Sequence, residues 1–160
     1  MVDPSRRRLF TAHSATVTKL RAPWSVPEAD FTDNCSRCGK CVDACETGVL
    51  IKGAAGFPEV DFQQAECSFC GQCAAVCPEP VFSSTALKPW QLTVTFQQYC
   101  LTYQWVACQS CKDFCDTSAI SFIPQSGGIA TPQLATAQCT GCGACVAACP
   151  VNAIAIVSND

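Results

Sequence analysis

Short apolar segments separated by turn-forming residues follow one another along most of this chain. Residues 90–96 alternate between apolar and polar side chains, which is the pattern of a half-buried strand. Residues 48–62 hold two short apolar segments around a glycine-rich turn, and residues 119–128 hold a strand followed by a hairpin turn. Matching short strands are predicted at residues 81–82 and 153–157. The pattern therefore predicts short strands joined by turns.

Four runs of closely spaced cysteines interrupt these segments. Residues 67–77 and 139–149 have the spacing C-x2-C-x2-C-x3-C and are each followed by proline. Residues 35–45 have the same spacing without the proline. The run at 108–115 holds three cysteines, and Cys100, displaced upstream to give C-x7-C, is predicted to supply the fourth. Four groups of four account for all 16 cysteines.

This spacing is that of the bacterial ferredoxin run, in which cysteine thiolates hold a [4Fe–4S] cluster. Each iron of the cube needs one soft thiolate, and two-residue gaps let a tight loop wrap three corners. Glycine in the second gap permits a close backbone approach. Three runs have it, as Gly39, Gly71 and Gly143, whereas the irregular run has Gln109. The fourth cysteine is expected to begin a helix and to bind the other cluster of a two-cluster unit.

Two other chemistries compete for these cysteines. A disulfide scaffold needs an oxidising compartment, and triplets at two-residue gaps are poorly placed for disulfide bonds. Zinc sites use pairs of ligands separated by a long gap, often with histidine, and the only histidine here is His13. Four ferredoxin-type runs in one chain favour iron–sulfur clusters over both alternatives.

The runs form two repeats. Cys115 follows Cys45, and Cys149 follows Cys77, at nearly the same interval of about 70 residues, and a fixed period indicates duplication. We therefore pair the first run with the second and the third with the fourth. The predicted ligand sets are Cys35, Cys38, Cys41 and Cys77 for site 1, Cys67, Cys70, Cys73 and Cys45 for site 2, Cys100, Cys108, Cys111 and Cys149 for site 3, and Cys139, Cys142, Cys145 and Cys115 for site 4. A nested arrangement, the second run with the third inside the first with the fourth, is the open alternative.

The predicted fold class is α+β, with tandem duplicated two-[4Fe–4S] ferredoxin-like units of short strands, short helices and loops. The units are expected at residues 31–82 and 100–160, after a basic arm and proline-rich linker at 1–30 and around a connector with one strand at 83–99. Cysteine inflates the apolar content of 49%, so the core is small. Clusters must therefore supply much of the folding free energy, and the metal-free chain is expected to fold poorly.

Charge divides the chain into a basic arm and an acidic body. Residues 1–21 carry a net charge of about +4 and the remainder about −7. The acidic body argues against nucleic acid as a partner.

No apolar run approaches the length that a spanning helix needs, so no membrane span is expected. Residues 5–10 resemble the core of a twin-arginine export signal, but no apolar segment follows, so we interpret the arm as retained, with export and a disordered tail as alternatives.

Several of these features together resemble the NapF family, the ferredoxin-type proteins encoded with periplasmic nitrate reductase. The resemblance rests on Asp3-Pro4-Ser5-Arg6-Arg7-Arg8, Pro23-Trp24, Glu66-Cys67-Ser68-Phe69-Cys70, the run from Cys139 to Cys145 and the displaced Cys100. It implies a cytoplasmic protein with four [4Fe–4S] clusters. It further implies contact with the precursor of the nitrate reductase catalytic subunit before export, and a part in loading that subunit's own iron–sulfur cluster.

Two functions fit the sequence, and an enzyme does not. The chain has no nucleotide-binding fingerprint, and a single histidine leaves no Ser-His-Asp set. The first hypothesis is maturation of the nitrate reductase catalytic subunit, with residues 5–21 docking on it through Arg6, Arg7 and Arg8. The alternative is an electron-transfer ferredoxin or wire subunit serving other redox proteins. Both need bound clusters, so composition does not separate them.

Overall fold

Short helices and strands make up the chain in a computed structural model, which describes residues 19–158. The helices are α1 (Glu28–Asn34), α2 (Lys40–Asp43), α3 (Gln72–Ala75), α4 (Ser110–Asp113) and α5 (Ala144–Ala147). The strands are β1 (Leu50–Lys52), β2 (Pro58–Val60), β3 (Leu92–Phe96), β4 (Ile120–Ile123), β5 (Thr131–Leu134) and β6 (Ile154–Ser158). Two short 3₁₀ segments cover Leu101–Gln104 and Thr136–Gln138.

The strands form antiparallel pairs. The hairpin β1–β2 aligns Leu50 with Val60, and β4–β5 is the corresponding hairpin of the second half. The strand predicted around residues 90–96 is present as β3 and pairs with β6 along five residues. The strand in the predicted connector therefore pairs with the strand that closes the second half. An alternating pattern predicts a strand but does not identify its partner.

The N-terminal linker is built into the first unit. Trp24 is 8% exposed, its indole donates to the Leu87 carbonyl at 2.8 Å, and the backbone of Ser25 bridges to Phe82. This bridge in the first half of the chain corresponds in position to the pairing of β3 with β6 in the second half. The segment predicted as a strand at residues 81–82 is therefore one bridge long.

Arg21 fastens the same linker from the other side. Its guanidinium, only 7% exposed, forms two hydrogen bonds to the Glu28 carboxylate and a third to the Pro58 carbonyl. It also lies over the rings of Phe31 and Phe57, at 4.9 and 5.3 Å from their centroids. Arg21 is thus occupied within the fold and does not serve the docking arm predicted for residues 5–21.

Four one-turn helices, α2 to α5, lie inside the cysteine runs. Each begins directly after the second-gap residue and carries the third cysteine, and the fourth cysteine follows the helix. The expectation that the fourth cysteine begins a helix was wrong. Gly39, Gly71 and Gly143 precede their helices with φ of 82°, 74° and 85°, a left-handed conformation that glycine adopts without strain. Gln109 precedes α4 with φ of −136°, so the irregular run turns differently.

The core joins apolar side chains from both halves to the third cysteine of every run. Val49, Val94 and Ile120 are among its members with less than 5% exposure, and Cys41, Cys73, Cys111 and Cys145 belong to the same cluster. Within residues 19–158, no helix is long and apolar enough to cross a membrane.

Candidate metal centres

The buried third cysteines show how thiols are grouped. Burial raises the pKa of the Cys41 thiol to about 11, and the nearby Cys77 and Cys35 add to the effect. Burial likewise raises the pKa of Cys111 to about 12, and the nearby Cys100, Cys108 and Cys149 add to the effect. A buried thiol resists ionisation alone and needs a bound cation to become a thiolate ligand. Each group therefore has the composition of a metal site.

Site 1 is an enclosed apolar pocket between α1, α2 and the first residue of β2. All four predicted ligands, Cys35, Cys38, Cys41 and Cys77, line it. Phe31 and Val81 close it on the inside. The Cys38 thiol lies at the surface, where the backbone N–H of Lys40 and the hydroxyl of Ser36 lower its pKa.

Site 2 is a similar pocket beneath the linker. Its wall contains the four predicted ligands Cys45, Cys67, Cys70 and Cys73, together with Trp24. Trp24 thus packs on the cluster region, as its position in the linker predicts. The Cys70 thiol is exposed, whereas burial raises the pKa of Cys67 to about 11.

The second unit repeats the arrangement. The pocket of site 4 is lined by all four predicted ligands, Cys115, Cys139, Cys142 and Cys145. Site 3 gathers the displaced Cys100 with Cys108, Cys111 and Cys149, as the neighbours of Cys111 show. In every site one thiol comes from the fourth cysteine of the other run. The ligand sets remain a prediction, and this geometry supports it.

The lining of three of these pockets suits an iron–sulfur cluster. Four thiols surround each pocket between apolar walls, as the four corners of an iron–sulfur cube require. The residues present therefore fit [4Fe–4S] clusters, which when bound supply one-electron redox chemistry.

Hydroxyl groups near the sulfurs were not predicted as site residues. Thr47 Oγ1 lies 3.7 Å from Cys45 Sγ, and Thr117 Oγ1 lies 3.6 Å from Cys115 Sγ. In site 3, Thr102 contacts the Cys100 sulfur at 3.4 Å. The signal was present in the sequence, because the first run of each half ends in Cys-acid-Thr, as Cys45-Glu46-Thr47 and Cys115-Asp116-Thr117.

The Thr47 hydroxyl is expected to raise the reduction potential of site 2. A hydrogen bond to a ligand sulfur stabilises the reduced, more negative cluster. Removing about 1 kcal/mol of such stabilisation lowers a one-electron potential by about 40 mV. Thr47→Val should therefore shift one of the four midpoints downward by up to that amount in an EPR-monitored titration. Thr32→Val is the matched control, because the Thr32 hydroxyl bonds only to backbone carbonyls of α1; equal shifts in both variants would contradict the assignment.

Site 3 is expected to be the most labile site. The 3₁₀ segment Leu101–Gln104 fills the long gap, and the Trp105 that follows is 67% exposed. A longer loop costs more entropy to close. Oxygen or chelator should therefore remove about one quarter of the iron first, from the site that Cys108→Ser also empties. Initial loss from site 2 would contradict this order.

Comparison with known proteins agrees with the site geometry. The chain matches the family described as "4Fe-4S dicluster domain" twice, at residues 34–81 and 106–153. Cys100 lies just outside the second match, as expected for a displaced ligand.

Relatives that match along most of the chain identify the family more narrowly than the domain match does. The chain is 46% identical over 154 residues to the ferredoxin-type protein NapF of Escherichia coli K12, covering 96% of this chain and 94% of the relative. The chain belongs to the NapF family. The NapF of Haemophilus influenzae is also 46% identical, over 88% of this chain and 79% of its own. A methylamine utilization ferredoxin-type protein, MauM of Methylophilus methylotrophus, is 31% identical over 91% of this chain and 71% of its own.

Family membership confirms the predicted cofactor and fold class. This NapF-family chain is an α+β iron–sulfur protein with two tandem dicluster domains, which account for four [4Fe–4S] clusters and contain every cysteine except Cys100. It is a ferredoxin-type protein in the context of nitrate reductase. The predicted partner-binding residues Arg6, Arg7 and Arg8 lie outside the described residues.

Proposed function

We propose that this protein acts in the cytoplasm on the precursor of the periplasmic nitrate reductase catalytic subunit, and that it helps load that subunit's iron–sulfur cluster before export. It does so as a binding and cluster-holding protein rather than as an enzyme. The relatives named NapF support the nitrate reductase context.

The observation that carries the proposal is the exposure of one ligand at each site of the first unit. Cys38 and Cys70, the second cysteines of their runs, are exposed, while Cys108 and Cys142 in the second unit are half-buried. A partner can therefore reach the edge of site 1 or site 2 without unfolding the chain. The buried thiols Cys41 and Cys73 hold the opposite side of each site, so the first unit both retains and presents its clusters.

The basic arm is the proposed means of recognising the precursor. Three consecutive arginines offer planar donors to carboxylates of a partner. Such contacts speed encounter and weaken as salt rises. The body holds the clusters without them, because all 16 cysteines lie between residues 35 and 149.

Changing Arg6, Arg7 and Arg8 together to alanine is expected to weaken co-purification of the precursor about tenfold or more, since three charged contacts each contribute about 0.5 kcal/mol or more. Iron content should not change. The matched control changes three exposed lysines of the body, Lys52, Lys88 and Lys112, to alanine. Equal binding by both variants would remove the arm's role, and export of a reporter fused after Arg21 would overturn the cytoplasmic assignment.

Electron delivery is the second candidate function. It is favoured by a contact between sites of different units, in which the backbone N–H of Cys67 in site 2 donates to the Cys142 carbonyl in site 4 at 2.8 Å. The two functions differ in what happens to nitrate reductase when this protein is absent. Maturation predicts a catalytic subunit with less iron. Electron delivery predicts a catalytic subunit with full iron content and full activity with an artificial donor. Iron analysis of the purified subunit from a deletion strain separates them.

A further inference from the structure

A hydrogen bond joins the two units at their ligand residues. The backbone N–H of Cys67, in site 2, donates to the carbonyl of Cys142, in site 4, at 2.8 Å. Sites 2 and 4 are therefore adjacent across the boundary between the two dicluster domains.

Aromatic side chains fill the space around this hydrogen bond. The ring of Trp90 lies 5.8 Å from that of Phe62 and 5.5 Å from that of Phe69, edge-on to both. Its indole N–H donates to the Thr140 carbonyl at 3.1 Å. Phe62 lies so close to Gly143 that any side chain at 143 would overlap its ring. The junction therefore depends on the absence of a Cβ in the loop of site 4.

Within each unit the helices that carry the third cysteines bring the sites together. Helix α2, which holds Cys41 of site 1, contacts α3, which holds Cys73 of site 2. Helix α4, which holds Cys111 of site 3, contacts α5, which holds Cys145 of site 4. The adjacent pairs are thus 1 with 2, 2 with 4, and 4 with 3.

We propose that this chain conducts electrons from one unit to the other through the Cys67–Cys142 junction, so that its sites work in the order 1–2–4–3. One electron leaves the reduced site and one electron enters the oxidised neighbour; no bond forms or breaks, and no proton is needed. The Cys67 peptide and the packed rings of Phe62 and Trp90 keep water out of the junction. Sites 1 and 3 are the ends at which electrons enter and leave.

Site-removal variants of the full chain test the order by EPR of the fully reduced protein. Cys100→Ser with Cys108→Ser removes site 3, and Cys115→Ser with Cys139→Ser removes site 4. Each variant should keep about twelve irons. Without site 3, the remaining sites 1, 2 and 4 form one continuous row, and every spectrum component should show spin–spin broadening. Without site 4, site 3 stands alone, and about one third of the spins should give a narrow, uncoupled signal.

Identical spectra from the two variants would overturn the proposal. If sites 1 and 2 and sites 3 and 4 formed two separate pairs, removing either site 3 or site 4 would leave its partner uncoupled in the same way. An uncoupled signal only after removal of site 3 would also overturn it.

A glycine substitution in the complete chain tests the junction without removing a site. Gly143→Ala should push Phe62 and the loop of site 4 apart and reduce the coupling between units. Gly71→Ala is the matched control, since it has the same motif position and a similar φ, 74° against 85°, but meets only Thr85 Cγ2 at 3.6 Å. Freeze-quench EPR after one-electron photoreduction should show slower exchange between units in Gly143→Ala, restored by adding Phe62→Leu. Equal exchange in Gly143→Ala and Gly71→Ala would show that the junction is not the route.

Discussion

Replacing Cys77 with serine is expected to empty site 1 and to leave site 2 loaded, although Cys77 belongs to the run that surrounds site 2. The structure places Cys77 in the pocket with Cys35, Cys38 and Cys41, and its thiol contributes to the raised pKa of Cys41. Loss of one of four thiolates leaves one iron of the cube without its protein ligand. Iron should fall from about sixteen to about twelve per chain.

The control for this variant is Cys70→Ser, which changes the same run but removes a ligand of site 2. Both variants lose one exposed or half-buried thiol, so their effects on the fold should be similar. EPR of the reduced proteins distinguishes the two lost clusters. In the proposed order 1–2–4–3, site 1 has one neighbouring cluster, whereas site 2 has two. If Cys77→Ser and Cys70→Ser gave the same spectrum, the crossover would be disproved. Altered signals from the Cys139 run would support the nested arrangement instead.

Stripping iron from the anaerobic protein with a chelator is expected to unfold both units. Four buried cysteines belong to the same cluster of core residues as Val94 and Ile120, and few other large side chains are fully buried. A domain's net stability is about 5–15 kcal/mol, and a structural metal site contributes about 10 kcal/mol or more. The apolar contacts that remain are too few to offset the chain entropy.

Circular dichroism and thermal melting of the stripped chain provide the measurement. The cooperative transition should disappear, and it should return when iron and sulfide are restored under reducing conditions. Zinc added to the same sample is the control for general metal binding. A stripped chain that still melted cooperatively at an unchanged temperature would show that the clusters contribute little to folding.

The cysteine spacing predicted most of the site, because ligand spacing within a run is a local property. The glycine in the second gap of three runs was recognised for its backbone freedom, but the helix that follows it was placed instead at the fourth cysteine. The displaced Cys100 was predicted from counting, and the structure brings it to Cys111. Fold class and cofactor followed from the repeated runs.

Contacts between distant segments were not predictable in this way. Arg21 seemed part of a basic arm, but its carboxylate partner, Glu28, becomes available only when α1 forms. The partner of β3 lies far along the chain, and strand patterns carry no information on pairing across such distances. The junction between Cys67 and Cys142 depends on how the two units meet. The charge count therefore identified the basic segment, and the strand pattern identified β3, but neither predicted the contacts that these segments make.

In the predicted ligand sets each fourth cysteine binds at the site of the other run, so the order of synthesis determines when each site has all its ligands. If Cys77 completes site 1 and Cys45 serves site 2, both sets exist as soon as residue 77 has left the ribosome. The corresponding cysteine of the second unit, Cys149, is made only after the whole of 78–148 has been added. At about 5–20 residues per second, this delay is roughly 4 to 14 s. The first unit can therefore acquire its clusters and fold on the nascent chain before its copy exists, and its eight thiols are protected from pairing with the eight that follow.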